Sequence, residues 1–212
     1  MKQRTTNSDP TVDRRTSHQR WWLVLVMASL LTATGFTACG SAYHDVQEDW
    51  TRHEEAYEAF GSRAFVWATL KTKPFRHAFI EEYSRLFALT PDQKAALVEA
   101  ELAEHKVTLV AIVALFTPDV GWNDLSPASG FWEVRLERTP TSYSHPRNVR
   151  RLLRSDPTWK RMYPYATSHY TLYELQFDRE GVDGQPVAVP GQALHLVVAG
   201  APAKIRMSWT MP

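Results

Sequence analysis

The chain has 212 residues, with 24 Lys+Arg against 23 Asp+Glu and a formal net charge of +1. One cysteine, Cys39, excludes an intramolecular disulfide framework and a cysteine-rich metal site, so stability has to come from packing. Eight Trp, eight Tyr and nine Phe are ample material for that.

Taken in order, the chain opens on a leader carrying Lys2, Arg4, Arg14, Arg15 and Arg20, followed by the uncharged stretch Trp21 to Gly40, WWLVLVMASLLTATGFTACG. A basic segment, an apolar run and small residues before a cut site form a secretory targeting signal. Phe36-Thr37-Ala38-Cys39 resembles the lipobox of bacterial lipoproteins. That resemblance implies diacylglycerol on the Cys39 thiol, cleavage of residues 1–38 and N-acylation of the new terminus. Gly40 after the cysteine then leans toward the outer membrane. Two other readings stay open: an uncleaved transmembrane anchor, since the uncharged run to Tyr43 exceeds about 20 residues, and an ordinary signal peptide. Arg14-Arg15 lacks the hydrophobic residues that should follow a twin-arginine signal. Cleavage before Cys39 leaves 174 residues with 19 basic and 21 acidic side chains, a formal charge of −2. The basicity belongs to the leader.

Residues 39–46 are expected to be a short lipidated tether. Trp50, His53, Tyr57, Phe60, Ala64 and Trp67 recur at spacings of three and four, which predicts a core-facing helix. Lys71-Thr72-Lys73-Pro74 breaks it and starts a second helix to about Ala88. Thr90-Pro91-Asp92-Gln93 is a capping-box start for a third, to about Glu104. The run Val107 to Phe116 favours a buried strand over a continued helix. Beyond it Trp132/Val134/Leu136, Tyr173/Leu175/Phe177, Leu194/Leu196/Val198 and Ile205/Met207/Trp209 alternate with period two. The expected fold is α+β: about three N-terminal helices (47–106) packed on a C-terminal antiparallel sheet or sandwich (107–212), with 47–212 as one folding unit.

Catalytic signatures are missing: the chain carries no G-x-S-x-G, P-loop, G-x-G-x-x-G or H-E-x-x-H. Glu101/His105 and His77/Glu81 have i,i+4 spacing, but a zinc site needs about three protein ligands, so no metal, no catalytic residue and no cofactor beyond the lipid on Cys39 is expected. Trp122, Asn123 and Asp124 form a candidate ligand loop, set against the tendency of Asn and Asp to build turns. Arg147, Arg150, Arg151, Arg154, Lys160 and Arg161 stand against one acid, Asp156, in a basic stretch suited to anionic lipid or acidic polysaccharide rather than nucleic acid outside the cytoplasm. Together with Phe131 to Glu137 and Ser208-Trp209, the Trp122 loop resembles a family of uncharacterised bacterial lipoproteins, which implies no activity. These features point to a lipid-anchored cell-envelope protein that works as a non-catalytic binding or structural module, its partners being the membrane, anionic lipid, acidic polysaccharide or another envelope protein. The alternative is a hydrolase acting on an envelope polymer.

Overall fold

The computed structural model describes residues 42–58, 61–153 and 156–212. Cys39 and the stretch before it lie outside the described residues, as does Arg154. Gly40–Pro212 forms one compact unit.

Strands begin far earlier than the spacing predicts. Helix α1 (Ala42–Trp50) leads directly into β1 (Thr51–Glu58) and β2 (Gly61–Leu70), an antiparallel hairpin pairing His53 with Trp67 and Glu55 with Phe65. The expected first helix is therefore wrong, and with it the arrangement of helices first and sheet second. The physical reason lies in β2. Ala64, Val66, Ala68 and Leu70 fill one face and are at most 2% exposed, whereas Phe65, Trp67 and Thr69 occupy the other. A strand covered on both faces carries no clean alternation, so chance helical spacing can imitate a stripe. Tyr43 and Gln47 of α1 are buried, and both side chains donate to the Met162 carbonyl at 2.7 Å.

Two helices follow. In α2 (Lys73–Leu86), the Thr72 hydroxyl caps the Phe75 amide and Pro74 sits in the first turn. In α3 (Pro91–Val107), the Thr90 side chain caps the Gln93 amide while Gln93 bonds back to Thr90, the full capping box. The apolar run is a strand, β3 (Thr108–Phe116), buried through Leu115. After two single-turn 3-10 segments come β4 (Trp132–Thr139), β5 (Ser142–Ser144), β6 (Pro146–Arg151), the short helix α4 (Pro157–Met162), β7 (Thr171–Asp178), β8 (Ala193–Gly200) and β9 (Lys204–Thr210).

The strands form two antiparallel sheets, one ordered β1-β2-β3-β7-β6 and the other β5-β4-β8-β9. Their facing sides make the main core: Leu109, Val113, Leu115, Tyr173 and Phe177 from the first meet Val134, Leu196, Met207 and Trp209 from the second. Gly200, exposed at the end of β8, is needed because a Cβ would overlap the Phe131 carbonyl oxygen. The opposite face of the first sheet, with Ile112, Ala114 and Leu172, is covered by Tyr43, Phe75, Phe79, Met162 and Tyr163 from the α1, α2 and α4 regions. The described residues are thus layered helix, sheet, sheet, with strands both before and after α2, α3 and α4 in the sequence.

Val107–Pro212 alone would lose β1, β2 and two of the three covering helices, exposing β3 along one edge and one face. Such a fragment is expected to show no cooperative thermal transition by circular dichroism, where the chain from Gly40 onward melts as one unit.

Candidate functional site

A cleft of about 520 Å³ opens between the helices and the β6–β7 end of the five-stranded sheet. Its polar wall is assembled from four elements. Lys71 ends the β2 segment, its amide fixed on the Val110 carbonyl at 2.8 Å. Glu101 and Glu104 are one turn apart on α3 and so share a face. Glu174 and Gln176 alternate on β7 and share a face for the same reason. Arg150 stands opposite Glu174 in the β6–β7 register. Trp159 and Tyr163, a turn apart across the end of α4, form the aromatic side, their rings stacked 6.1 Å apart.

The charges in this cleft are matched. Lys71 Nζ donates to Glu101 at 3.0 Å and lies 3.6 Å from Glu104. The Arg76 guanidinium, fully buried behind the wall, pairs with Glu101 and reaches Glu104 at 2.7 Å. Gln176 Nε2 donates to Glu104 at 3.0 Å and to Glu174 at 3.4 Å. Arg150 pairs with Glu174 at 3.0 Å. Three carboxylates and three cations thus cancel formally. Burial alone would raise the Glu104 carboxyl, but Lys71 and Arg76 outweigh it and hold the group below its ordinary value. Burial pushes the Tyr163 hydroxyl well up, keeping it protonated as a donor. The arrangement can offer a ligand several fixed donors, fixed acceptors and an aromatic surface.

The Trp122 loop is tied into the fold by hydrogen bonds. The Trp122 carbonyl accepts from Trp132 Nε1 at 2.6 Å, Asn123 Nδ2 donates to Thr171 at 3.0 Å, and Tyr173 donates to the Asn123 carbonyl at 3.2 Å. Asp124 accepts from the Ser126 amide at 2.8 Å and hydroxyl at 3.0 Å. Leu125 is 2% exposed in the main core. The loop carries the chain from one sheet to the other, and its polar groups are largely spent on doing so; one atom, Asn123 Oδ1, is buried without a partner.

The basic stretch divides. Arg147 pairs with Asp178 at 3.2 Å and Arg150 with Glu174, while Arg151, Lys160 and Arg161 are exposed. Arginines along β6 also guard an edge strand against pairing with another chain. Arg150→Gln leaves Glu174, 9% exposed, without its cation and is expected to cost about 1–3 kcal/mol. Arg151→Gln should change stability by less than about 0.5 kcal/mol. Urea denaturation midpoints of the two variants measure the contrast.

Of the two helical pairs with metal spacing, Glu101 belongs to the cleft network rather than to His105, and Glu81 pairs with Lys94 at 2.7 Å. The cleft itself escapes sequence reasoning. The only local hints are the one-turn spacing of Glu101 and Glu104 and the Glu174/Gln176 alternation. No family model matches this chain, and neither a curated protein nor a solved structure matches it.

Proposed function

We propose that the chain is a lipid-anchored protein of the bacterial cell envelope, acylated on Cys39 and sorted to the outer membrane, whose folded part is a non-catalytic binding module. The ligand taken in the cleft is a polyhydroxylated segment of an envelope glycan. The observation that carries the binding reading is the charge-matched wall beside Trp159 and Tyr163. Alternating donors and acceptors next to an aromatic surface suit hydroxyl-rich rings, and ligand sites in general combine apolar walls with a few fixed polar groups. The anchoring reading rests on the residues from Trp21 to Gly40.

The three convergent carboxylates also favour a second reading, a hydrolase. A glycoside hydrolase requires one carboxyl raised enough to stay protonated and donate to the leaving oxygen. In this cleft Glu101, Glu104 and Glu174 are each ion-paired, and Glu104 is driven the opposite way. That weighs toward binding.

Cosedimentation of the detergent-solubilised full chain with purified insoluble envelope glycan tests the proposal. The expected result is retention in the pellet that falls at least several-fold in Trp159→Ala. Equal recovery of wild type and variant in the pellet, or no retention, contradicts it.

A further inference from the structure

A second cavity, of about 340 Å³, lies at the start of α2, and its ionisable side chains, Lys73, His105 and Arg179, are all basic. Ala188, Pro190 and Met211 give it an apolar wall. Nearby charge is unevenly shared out. Lys71 and Arg76 are matched by Glu101 and Glu104, but neither Lys73 nor Arg179 has an ion-pair partner among the described residues. Arg179 is half-buried and spends one N–H on the His105 carbonyl at 2.7 Å, leaving four donors of its fork. Its backbone is pinned, since the Val187 amide donates to the Arg179 carbonyl at 2.9 Å. One further polar atom of the lining, His105 Nδ1, is buried without a partner.

Lys73 is exposed and Arg179 half-buried, and no acidic side chain lines the cavity, so an anion entering it meets cations that no carboxylate side chain there has already neutralised. The same surroundings act on the titrating groups. Burial, then the charges of Arg76, Arg179 and Lys73, lower the His105 pKa; burial and Arg76 lower that of Arg179. The opening turn of α2 adds the positive end of its dipole.

We infer that this cavity is a binding site for a small organic oxyanion, a carboxylate or phosphate held by Arg179 and Lys73 beside His105, with its apolar part against Ala188, Pro190 and Met211. The guanidinium fork supplies the bidentate geometry such groups accept. The site is separate from the glycan cleft: Arg76 lies between them, with Nη1 on the cleft carboxylates.

The test uses the full chain in detergent micelles with histidine labelled for NMR, His105 assigned through His105→Gln. Inorganic phosphate and butyrate are titrated separately at constant ionic strength against chloride. At least one of them is expected to move the His105 ring resonances saturably at millimolar concentration, and which one does so separates phosphate from carboxylate. The apparent dissociation constant should rise at least tenfold in Arg179→Gln and in Lys73→Gln, with Arg179→Lys recovering part of it. The other histidine resonances report that each variant is folded. No saturable shift with either anion, or the same shift in Arg179→Gln, overturns the inference and leaves Arg179 as a cap on the end of α3 alone.

Discussion

Replacing Cys39 with serine is expected to abolish palmitate labelling and to leave the 1–38 leader, with its apolar run, attached and holding the protein at the membrane. A single acyl chain holds a protein only marginally, with a partition constant of about 10⁴ M⁻¹, while a second hydrophobic signal makes anchoring stable. With no thiol at position 39 the proposed lipids have no attachment point, and the uncleaved leader is the hydrophobic signal that remains. Metabolic labelling with palmitate and mass spectrometry of the N-terminus are the checks. An unlabelled wild-type protein, or one that keeps its leader, contradicts the anchor and favours the transmembrane or plain-signal alternatives.

The largest effect on stability is expected at Arg76. Its guanidinium is fully buried and donates to the Lys71 carbonyl at 3.1 Å and the Glu101 carbonyl at 3.1 Å besides its two carboxylate partners. Arg76→Leu strands Glu101 and Glu104 with Lys71 alone, and breaking a buried ion pair from one side costs about 3–5 kcal/mol. For a domain of this size that is a fall in melting temperature of roughly 6–20 °C. Adding Glu104→Gln to Arg76→Leu should recover part of the loss, since it removes one uncompensated charge. The pH dependence has a defined sign. The folded Glu104 carboxyl sits below its ordinary value, so its contribution is complete above the ordinary carboxylate range. That contribution fades as pH falls through the lowered folded value. The wild type should therefore lose stability in acid more steeply than Arg76→Leu, which calorimetry across acidic pH measures.

What the sequence makes legible is what is decided locally. The Thr90/Gln93 capping box forms because its residues are three apart and bond to each other. Val107 to Phe116 reads as a strand through its length and valines, and the period-two sets of Trp132, Leu194 and Ile205 all turn their apolar members into the main core. The β1–β2 hairpin was hidden by its place in the fold. As an edge strand, β1 is largely hydrophilic, and β2 is apolar on both faces, so neither alternates. Helix α4 was hidden inside the basic stretch, although Asp156 before Pro157 is a legible start: its carboxylate caps the Thr158 amide at 2.9 Å. The cleft joins Lys71, Glu104 and Glu174 through the order of strands in a sheet, a relation that spacing along the chain does not carry.

Binding in the cleft without turnover is the claim on which the functional account stands, and calorimetric titration of the detergent-solubilised full chain with soluble envelope-glycan fragments tests it most directly when the same samples are then assayed for new reducing ends. A saturable heat that is lost in Trp159→Ala, with no reducing ends released, is the result expected. Released reducing ends that depend on Glu101, Glu104 or Glu174 would make the protein a hydrolase, and the absence of any saturable heat would remove the glycan from the cleft altogether.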